Sequence, residues 1–165
     1  MPLQSAGILL YRRAGGSVQF LLVHPGGPFW SKKDVGSWSI PKGLYQEPEN
    51  AIDAARRELR EEIGLAIAGD LVELGRFKQP SGKVVSAWAV ECDFDVAELR
   101  SNSFSLEWPP KSGRQQEFPE VDRVGWFSIK EAAAKITKGQ LPILIKLATE
   151  LRLDVSAAGS QGSSA

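Results

Sequence analysis

Three glutamates near the middle of the chain are spaced so that they can act together. Glu61 and Glu62 follow Glu58 by three and four residues in the segment GLYQEPENAIDAARRELREEIGL, residues 43–65. In a helix these side chains are neighbours, and like charges at that spacing cost about 0.2–0.5 kcal/mol per pair. A divalent cation reverses this cost, because Mg²⁺ takes carboxylate oxygens and completes its shell with water and substrate phosphates. The cluster therefore indicates a metal-dependent site for phosphate chemistry.

The segment around the cluster has the features of a helix with defined ends. Pro48 suits the first helical position, and Glu47 and Glu49 suit the positive end of the helix dipole. Gly64 suits the position that ends the helix. Apolar residues recur at three- and four-residue spacing and predict a stripe that faces the core, namely Ile52, Ala55, Leu59 and Ile63.

Apolar and alternating segments predict strands on both sides of this helix. AGILLYRR and VQFLLVHP flank a glycine turn at residues 15–16, and LVELGRFKQ and KVVSAWAVECDF form a hairpin around residues 80–82. VDRVGWF is a later strand, IKEAAAKI is a short helix, and residues 141–151 form a final amphipathic helix. Residues 95–119 are polar and rich in proline, and we expect a loop that closes over substrate. This order indicates an α/β or α+β fold.

The composition is that of a single globular domain. The chain has 165 residues and a formal net charge of zero, which argues against a general surface for nucleic acids. The one cysteine, Cys92, cannot form an internal disulfide, which favours a reducing compartment, and we expect the protein to be cytoplasmic. Cys92 lies in an apolar stretch, so we expect it to be buried. No apolar run approaches the ~20 residues needed to cross a bilayer. We expect one domain over residues 1–153 and a disordered tail over residues 154–165.

Residues 43–65 also resemble the signature of the Nudix hydrolase family, G-x5-E-x7-R-E-U-x-E-E-x-G-U, in which U is a bulky aliphatic residue. Every fixed position is filled, by Gly43, Glu49, Arg57, Glu58, Leu59, Glu61, Glu62, Gly64 and Leu65. The resemblance implies an α/β fold, an α/β/α sandwich with a mixed β-sheet. It also implies a hydrolase of phosphoanhydride bonds. The glycine that usually accompanies the acid before the signature helix is absent here, where the chain reads Glu47-Pro48-Glu49.

The resemblance further implies a set of metal ligands. The carboxylates of Glu58, Glu61 and Glu62 and the carbonyl oxygen of Gly43 would bind Mg²⁺ or Mn²⁺. Such ions neutralise phosphate charge and activate water. Arg57 precedes Glu61 by four residues and can orient its carboxylate, although an ordinary surface ion pair has the same spacing.

Many Nudix enzymes bring a further glutamate from a late loop, where it binds metal or acts as the general base. In several relatives it lies six residues before a tryptophan, and the same count from Trp126 gives Glu120. Glu117 is the nearby competitor, and Glu58 is the other candidate base. Glu49 either helps to orient the site or only favours the start of the helix.

Candidate substrate-binding residues surround the signature. Lys42 stands in WSIPKG, a form that resembles Nudix enzymes acting on nucleoside triphosphates and dinucleoside polyphosphates, and it would meet phosphate as a point charge. Arg114 could bind a second phosphate through two hydrogen bonds. Phe29, Trp30 and Trp108 lie in predicted loops and could stack on a base, or could instead pack onto the domain.

These features predict a metal-dependent pyrophosphohydrolase that cleaves a nucleoside diphosphate linked to another moiety. The favoured substrates are a nucleoside triphosphate or a diadenosine polyphosphate, and the resemblance points to Mg²⁺ or Mn²⁺ as cofactor. We expect a small nucleotide as partner, with no extended nucleic acid and no membrane, and a monomer or homodimer. The alternative is a Nudix-fold sensor or interaction module that binds a nucleotide without hydrolysing it. Retention of all three glutamates favours the enzyme.

Overall fold

The structure, a computed structural model, describes residues 2–155. Within them lie eight strands: β1 (Gln4–Ala14), β2 (Ser17–Pro25), β3 (Lys42–Tyr45), β4 (Val72–Lys78), β5 (Val84–Glu91), β6 (Ser103–Glu107), β7 (Gln115–Pro119) and β8 (Val121–Phe127). The helices are α1 (Ala51–Ile63), α2 (Ile129–Lys135) and α3 (Leu141–Glu150), with short 3-10 turns at Val96–Glu98 and Lys138–Gln140. Of the tail predicted over residues 154–165, all but the first two residues lie outside the described part of the chain.

Six strands form one mixed sheet. Its order is β4-β5-β1-β2-β8, and β3 pairs with the first half of β1. The central pair, β1 and β5, is parallel, whereas β1 with β2, β1 with β3, β2 with β8 and β4 with β5 are antiparallel. The predicted hairpin of β4 and β5 and the predicted mixed sheet are therefore confirmed. Strands β6 and β7 pair only with each other in a separate hairpin.

Helices cover both faces of the sheet because alternate residues of β1 enter different cores. Ile8 and Leu10 face α1, whereas Leu9 faces α2 and α3. From α1 the first core receives Ala54, Ala55, Leu59 and Ile63. The second core receives Ile143, Leu144 and Leu147 from α3. The α/β/α sandwich is therefore confirmed, and the near-continuous burial of β1 is what a central strand covered on both faces requires.

The ends of α1 follow the sequence in part. Gly64 ends the helix as predicted, with a φ of 85° and its N–H donating to Arg60 O. The start lies later than expected, because Asn50 is the N-cap and its side chain accepts a hydrogen bond from Asp53 N–H at 3.0 Å. Pro48 therefore lies before the helix and not at its first position.

The prediction that residues 95–119 form a loop is wrong. The segment contains a 3-10 turn and the β6–β7 hairpin, whose alternating apolar side chains make ring contacts such as Phe104–Phe118 at 6.0 Å. Pro109, Pro110 and Gly113 lie in the turn of the hairpin, where Gly113 has a φ of 76°. The turn-forming residues therefore led to the prediction of a loop where two short strands are present.

The structure also bears on the burial of Cys92 and on the presence of membrane-spanning helices. Cys92 follows the end of β5 and is only partly buried, so the prediction of a buried cysteine is wrong. Among residues 2–155, no helix has the length and apolar character needed to cross a bilayer.

Candidate active site

Arg57 of α1 connects the acidic residues of the segment. Its Nε and Nη2 donate to the two carboxylate oxygens of Glu49, each at 2.9 Å. Its Nη1 donates to Glu58 at 2.8 Å and to Glu61 at 3.0 Å. The hydrogen bonds from Arg57 lower the pKa of Glu49 below its usual value. The guanidinium therefore contacts three carboxylates at once, and both oxygens of Glu49 bind it.

Glu58 lies directly against the backbone of β3. A Cβ atom at Gly43 would lie 2.0 Å from Glu58 Cδ, so only glycine fits beneath this carboxylate. Glu58 is buried, and burial raises the pKa of its carboxyl group although Arg57 acts in the opposite direction. The signature glycine at position 43 is thus explained by close approach and not by backbone conformation.

Glu62 contacts the residue next to Gly43. Its Oε1 accepts a hydrogen bond from Lys42 N–H at 3.2 Å. Burial raises the pKa of Glu62 to about 8, and the negative charges of Glu58 and Glu120 contribute to the rise. Burial and the neighbouring negative charges therefore favour the protonated form of Glu62 in the metal-free protein.

The structure brings Glu120 to the cluster, from the junction of β7 and β8. Burial raises the pKa of Glu120, and repulsion by Glu58 and Glu61 raises it further, which places its carboxyl group within electrostatic reach of both. Glu117 is exposed in the β6–β7 hairpin, opposite Ser105. Of the two late carboxylates left open by the sequence, the geometry thus favours Glu120.

A cavity of about 470 Å³ lies beside the cluster and is lined by cationic side chains. Lys42 and Lys83 line it together with Lys138 and Trp30. Burial lowers the pKa of Lys83, and the nearby charge of Lys42 lowers it further. Lys42 thus stands between the two parts of the site, with its backbone on Glu62 and its side chain in the cavity.

Sequence reasoning missed Lys83. It lies just before β5, which pairs with β1, and it lines the same cavity as Lys42. The signal would have been strand register, which one sequence does not provide for a parallel pair such as β1 and β5.

The other proposed substrate residues are only partly brought together. Trp30 borders the cavity and is 40% exposed, with Lys33 Nζ 4.9 Å from its ring centroid. Phe29 and Trp108 contact each other edge to face, with ring centroids 5.3 Å apart, and neither lines the cavity. Arg114 is exposed at the end of the β6–β7 turn and does not line the cavity either.

Comparison with protein families decides which family this arrangement represents. The model of the NUDIX domain matches residues 1–147. The chain belongs to the Nudix family. Its resemblance to the family signature is therefore confirmed, and this Nudix protein is a hydrolase that acts on phosphoanhydride bonds.

Two curated proteins illustrate its relatives. This Nudix chain is 22% identical over 169 residues to an RNA pyrophosphohydrolase of Bartonella henselae, covering 90% of the chain and 89% of the relative. It is 29% identical over 113 residues to the asymmetrical bis(5'-nucleosyl)-tetraphosphatase of Mus musculus, covering 61% of the chain and 72% of the relative.

Solved structures share the fold. A binary complex of the C. elegans Ap4A hydrolase superposes with a TM-score of 0.62 at 21% identity, covering 91% of this chain and 98% of that one. The NUDIX domain of Shewanella oneidensis NrtR, complexed with ADP ribose, gives a TM-score of 0.61 at 15% identity, covering 92% and 89%. At these identities the likeness concerns the fold alone.

Nudix hydrolases generally depend on divalent metal ions, and the donor set here is chemically suited to one. The side chains available are carboxylates, which hard cations such as Mg²⁺ prefer. Burial raises the pKa of Glu62 and of Glu120, and repulsion by neighbouring carboxylates raises both further. In the described part of the chain, no three acidic, histidine or cysteine side chains already converge as an ion cage. Arg57 contacts one oxygen of Glu58 and one of Glu61, so the second oxygen of each carboxylate can bind an ion.

Proposed function

We propose that this Nudix hydrolase cleaves nucleoside triphosphates or dinucleoside polyphosphates such as diadenosine tetraphosphate, with Mg²⁺ or Mn²⁺ as cofactor. The observation that carries the proposal is the position of Lys42 between the acidic cluster and the lysine-lined cavity. A phosphate chain that reaches from the cluster into this cavity meets cations along its length. The relatives named as a tetraphosphatase and as an RNA pyrophosphohydrolase support a nucleotide with a phosphate chain.

The acidic cluster would hold the metal ion. Its ligands would be the carboxylates of Glu58, Glu61, Glu62 and Glu120, together with the carbonyl oxygen of Gly43. When bound, the ion supplies Lewis-acid stabilisation of the phosphate oxygens and lowers the pKa of water.

The protein's own side chains would move the proton and fix the geometry. Glu58 and Glu120 are the candidate bases, because burial raises the pKa of both and the charge of Glu58 acts on Glu120. Arg57 Nη1 donates to both Glu58 and Glu61 and would keep the two carboxylates in position for the metal ion.

We assign the phosphate chain to the lysine-lined cavity and not to a larger cavity nearby. That larger cavity, of about 970 Å³, lies along residues 2–4 and 44–51, and its lining contains Glu47 and Glu49 but no lysine or arginine. A polyanion should bind in the lysine-lined cavity, because its negative charge relieves the repulsion between Lys83 and Lys42. Trp30 at its border offers an aromatic face to a base, and such stacking contributes about 1–3 kcal/mol.

The first experiment tests the chemistry. Glu61→Gln removes one metal ligand, so we expect kcat to fall by several orders of magnitude while the protein remains folded by circular dichroism. Glu73→Gln is the matched control, because Glu73 is exposed on β4, away from the cluster. Excess chelator should abolish turnover by the wild-type protein. Near wild-type turnover by Glu61→Gln, or activity in chelator, would reject the mechanism.

The second experiment tests the substrate. We would compare kcat/KM for diadenosine tetraphosphate, several nucleoside triphosphates and ADP-ribose, because the cavity favours a longer phosphate chain. The two polyphosphate classes should exceed ADP-ribose, since remote binding energy can be used to orient the reacting phosphate. A tenfold advantage for ADP-ribose would overturn the polyphosphate assignment and leave the Nudix hydrolase assignment intact.

A further inference from the structure

We propose that Ser101 and Gly26 are positioning residues that fix the backbone of Glu120 at a set distance from α1. This inference rests on the proposed function, in which Glu120 acts with the glutamates of α1. Neither residue belongs to the family signature or lines the cavity. Both contact the short stretch of backbone that carries Glu120.

One end of the connection is the C-terminal end of α1. Residues 100–102 run beside it, where Asn102 N–H donates to Glu61 O at 2.8 Å and Arg100 N–H donates to Ile63 O at 3.1 Å. Gly64 allows this approach, because a Cβ atom at Gly64 would lie 2.9 Å from Arg100 Cβ. Residues 100–102 are therefore attached to the turn of helix that carries the acidic cluster.

The other end is Glu120 itself. Its N–H donates to Asn102 O at 2.7 Å, so one residue links the backbone of Glu61 to that of Glu120. The Ser101 hydroxyl reinforces the link, because its Oγ donates to Asn102 O at 2.9 Å and accepts from Val121 N–H at 2.9 Å. Ser101 is thus the side chain that joins residues 101–102 to the start of β8.

Gly26 supports Glu120 from the opposite side. Gly26 N–H donates to Glu120 O at 2.9 Å. A Cβ atom at Gly26 would lie 1.9 Å from Pro119 O, so any side chain there would displace the backbone next to Glu120. The φ of Gly26 is not in the left-handed region, so the requirement for glycine is one of space.

Glu120 needs this support because it directly follows the β6–β7 hairpin. Within residues 2–155, the β6–β7 hairpin pairs with no strand of the main sheet, and it ends at Pro119. Hairpins of two strands are marginally stable alone, so a carboxylate at the end of one moves with it unless its backbone is held. Functional groups must be held to within about 0.5 Å of the productive geometry, which is what hydrogen bonds on both sides of Glu120 provide.

The test compares Ser101→Ala with Ser101→Thr, which keeps the hydroxyl, and with Ser105→Ala, which removes an exposed hydroxyl from β6. We expect Ser101→Ala to lower kcat about tenfold to a hundredfold, since misplacement by about 1 Å costs about a hundredfold. Its KM should stay within about twofold, since Ser101 does not line the cavity. Ser101→Thr should restore kcat, and Ser105→Ala should match the wild type.

Hydrogen exchange of the metal-free protein gives a readout that does not depend on turnover. The amides of Glu120 and Val121 should exchange about tenfold faster in Ser101→Ala, as expected for loss of one hydrogen bond. If the wild type hydrolyses no nucleotide, the proposed function fails, and this exchange still decides whether Ser101 holds Glu120. Unchanged exchange would overturn the inference.

Two further comparisons identify Glu120 as the group through which Ser101 acts. In a Glu120→Gln background, Ser101→Ala should lower kcat no further, whereas an equal loss in both backgrounds would overturn the inference. Gly26→Ala should reproduce the kcat loss from the other side. Its control is Gly69→Ala, because a Cβ atom at Gly69 would meet nothing within 4 Å. Equal turnover by these two variants would count against the role of Gly26.

Discussion

Replacing Arg57 with glutamine removes the one side chain that contacts three glutamates of the candidate site. The substitution deletes two hydrogen bonds to Glu49, one to Glu58 and one to Glu61. It also leaves Glu58, whose side chain is 10% exposed, without its cationic partner. We therefore expect losses of both stability and turnover.

The magnitude follows from the contacts of Arg57. A hydrogen bond to a charged group contributes about 1.5–3 kcal/mol when it is buried. The Arg57 side chain is 29% exposed, which reduces each contribution towards that of a surface pair, and bonds made by one side chain do not add. The expected loss in the free energy of unfolding is about 2–4 kcal/mol. With a urea slope of about 2 kcal/mol per molar, the midpoint falls by about 1–2 M.

The assay is urea unfolding without metal, followed by steady-state kinetics with Mg²⁺. Arg60→Gln is the control, because Arg60 lies on the same helix and is exposed. We expect Arg57→Gln to lower kcat about a hundredfold or more, since the carboxylates lose their orientation. Mg²⁺ should stabilise Arg57→Gln more than the wild type, because a bound cation replaces the missing positive charge. Equal stability losses in the Arg57 and Arg60 variants would refute this account of the cluster.

Three more predictions concern neighbouring residues. Gly43→Ala places a Cβ atom 2.0 Å from Glu58 Cδ, so kcat should fall about a hundredfold, whereas Gly69→Ala should be neutral in the same assay. The pKa of Glu62 is about 8 in the folded protein against its usual 4.5. The folded state therefore binds this proton more tightly, and stability without metal should fall as pH rises from 4.5 through about 8. Urea unfolding of Glu62→Gln should show a flatter dependence. Lys83→Met should raise KM for diadenosine tetraphosphate about tenfold with kcat little changed, as measured by initial rates.

The fold was predictable wherever local pattern determined the element. The apolar stripe of α1 and its terminal Gly64 mark the helix, because a core-facing helix needs both the 3.6-residue period and a left-handed end. The β6–β7 hairpin was not predictable, because its strands are five residues each and its turn contains two prolines and a glycine. Asn50 was missed as the N-cap for a similar reason, since the acids and Pro48 before it also suit a helix start.

The candidate site was predictable only where it lies within one segment. Residue types and spacing on α1 were enough to relate Arg57 to Glu61, because i and i+4 positions on a helix must meet. Lys83 and Ser101 lie outside this segment, and nothing in their local sequence distinguishes them from surface residues. Their positions depend on strand pairing and on the contact of residues 100–102 with α1.

The like charges of the acidic cluster destabilise its helix, and two groups compensate part of that charge. Arg57 neutralises part of the charge by contacting Glu58 and Glu61, and a proton on Glu62 neutralises more at neutral pH, because its pKa is about 8. A divalent cation would bind the carboxylate oxygens that do not contact Arg57 and would displace the proton of Glu62. Its affinity would therefore rise with pH as Glu62 ionises. The like-charge spacing that lowers helix stability is therefore the sequence feature that predicts a metal-dependent function.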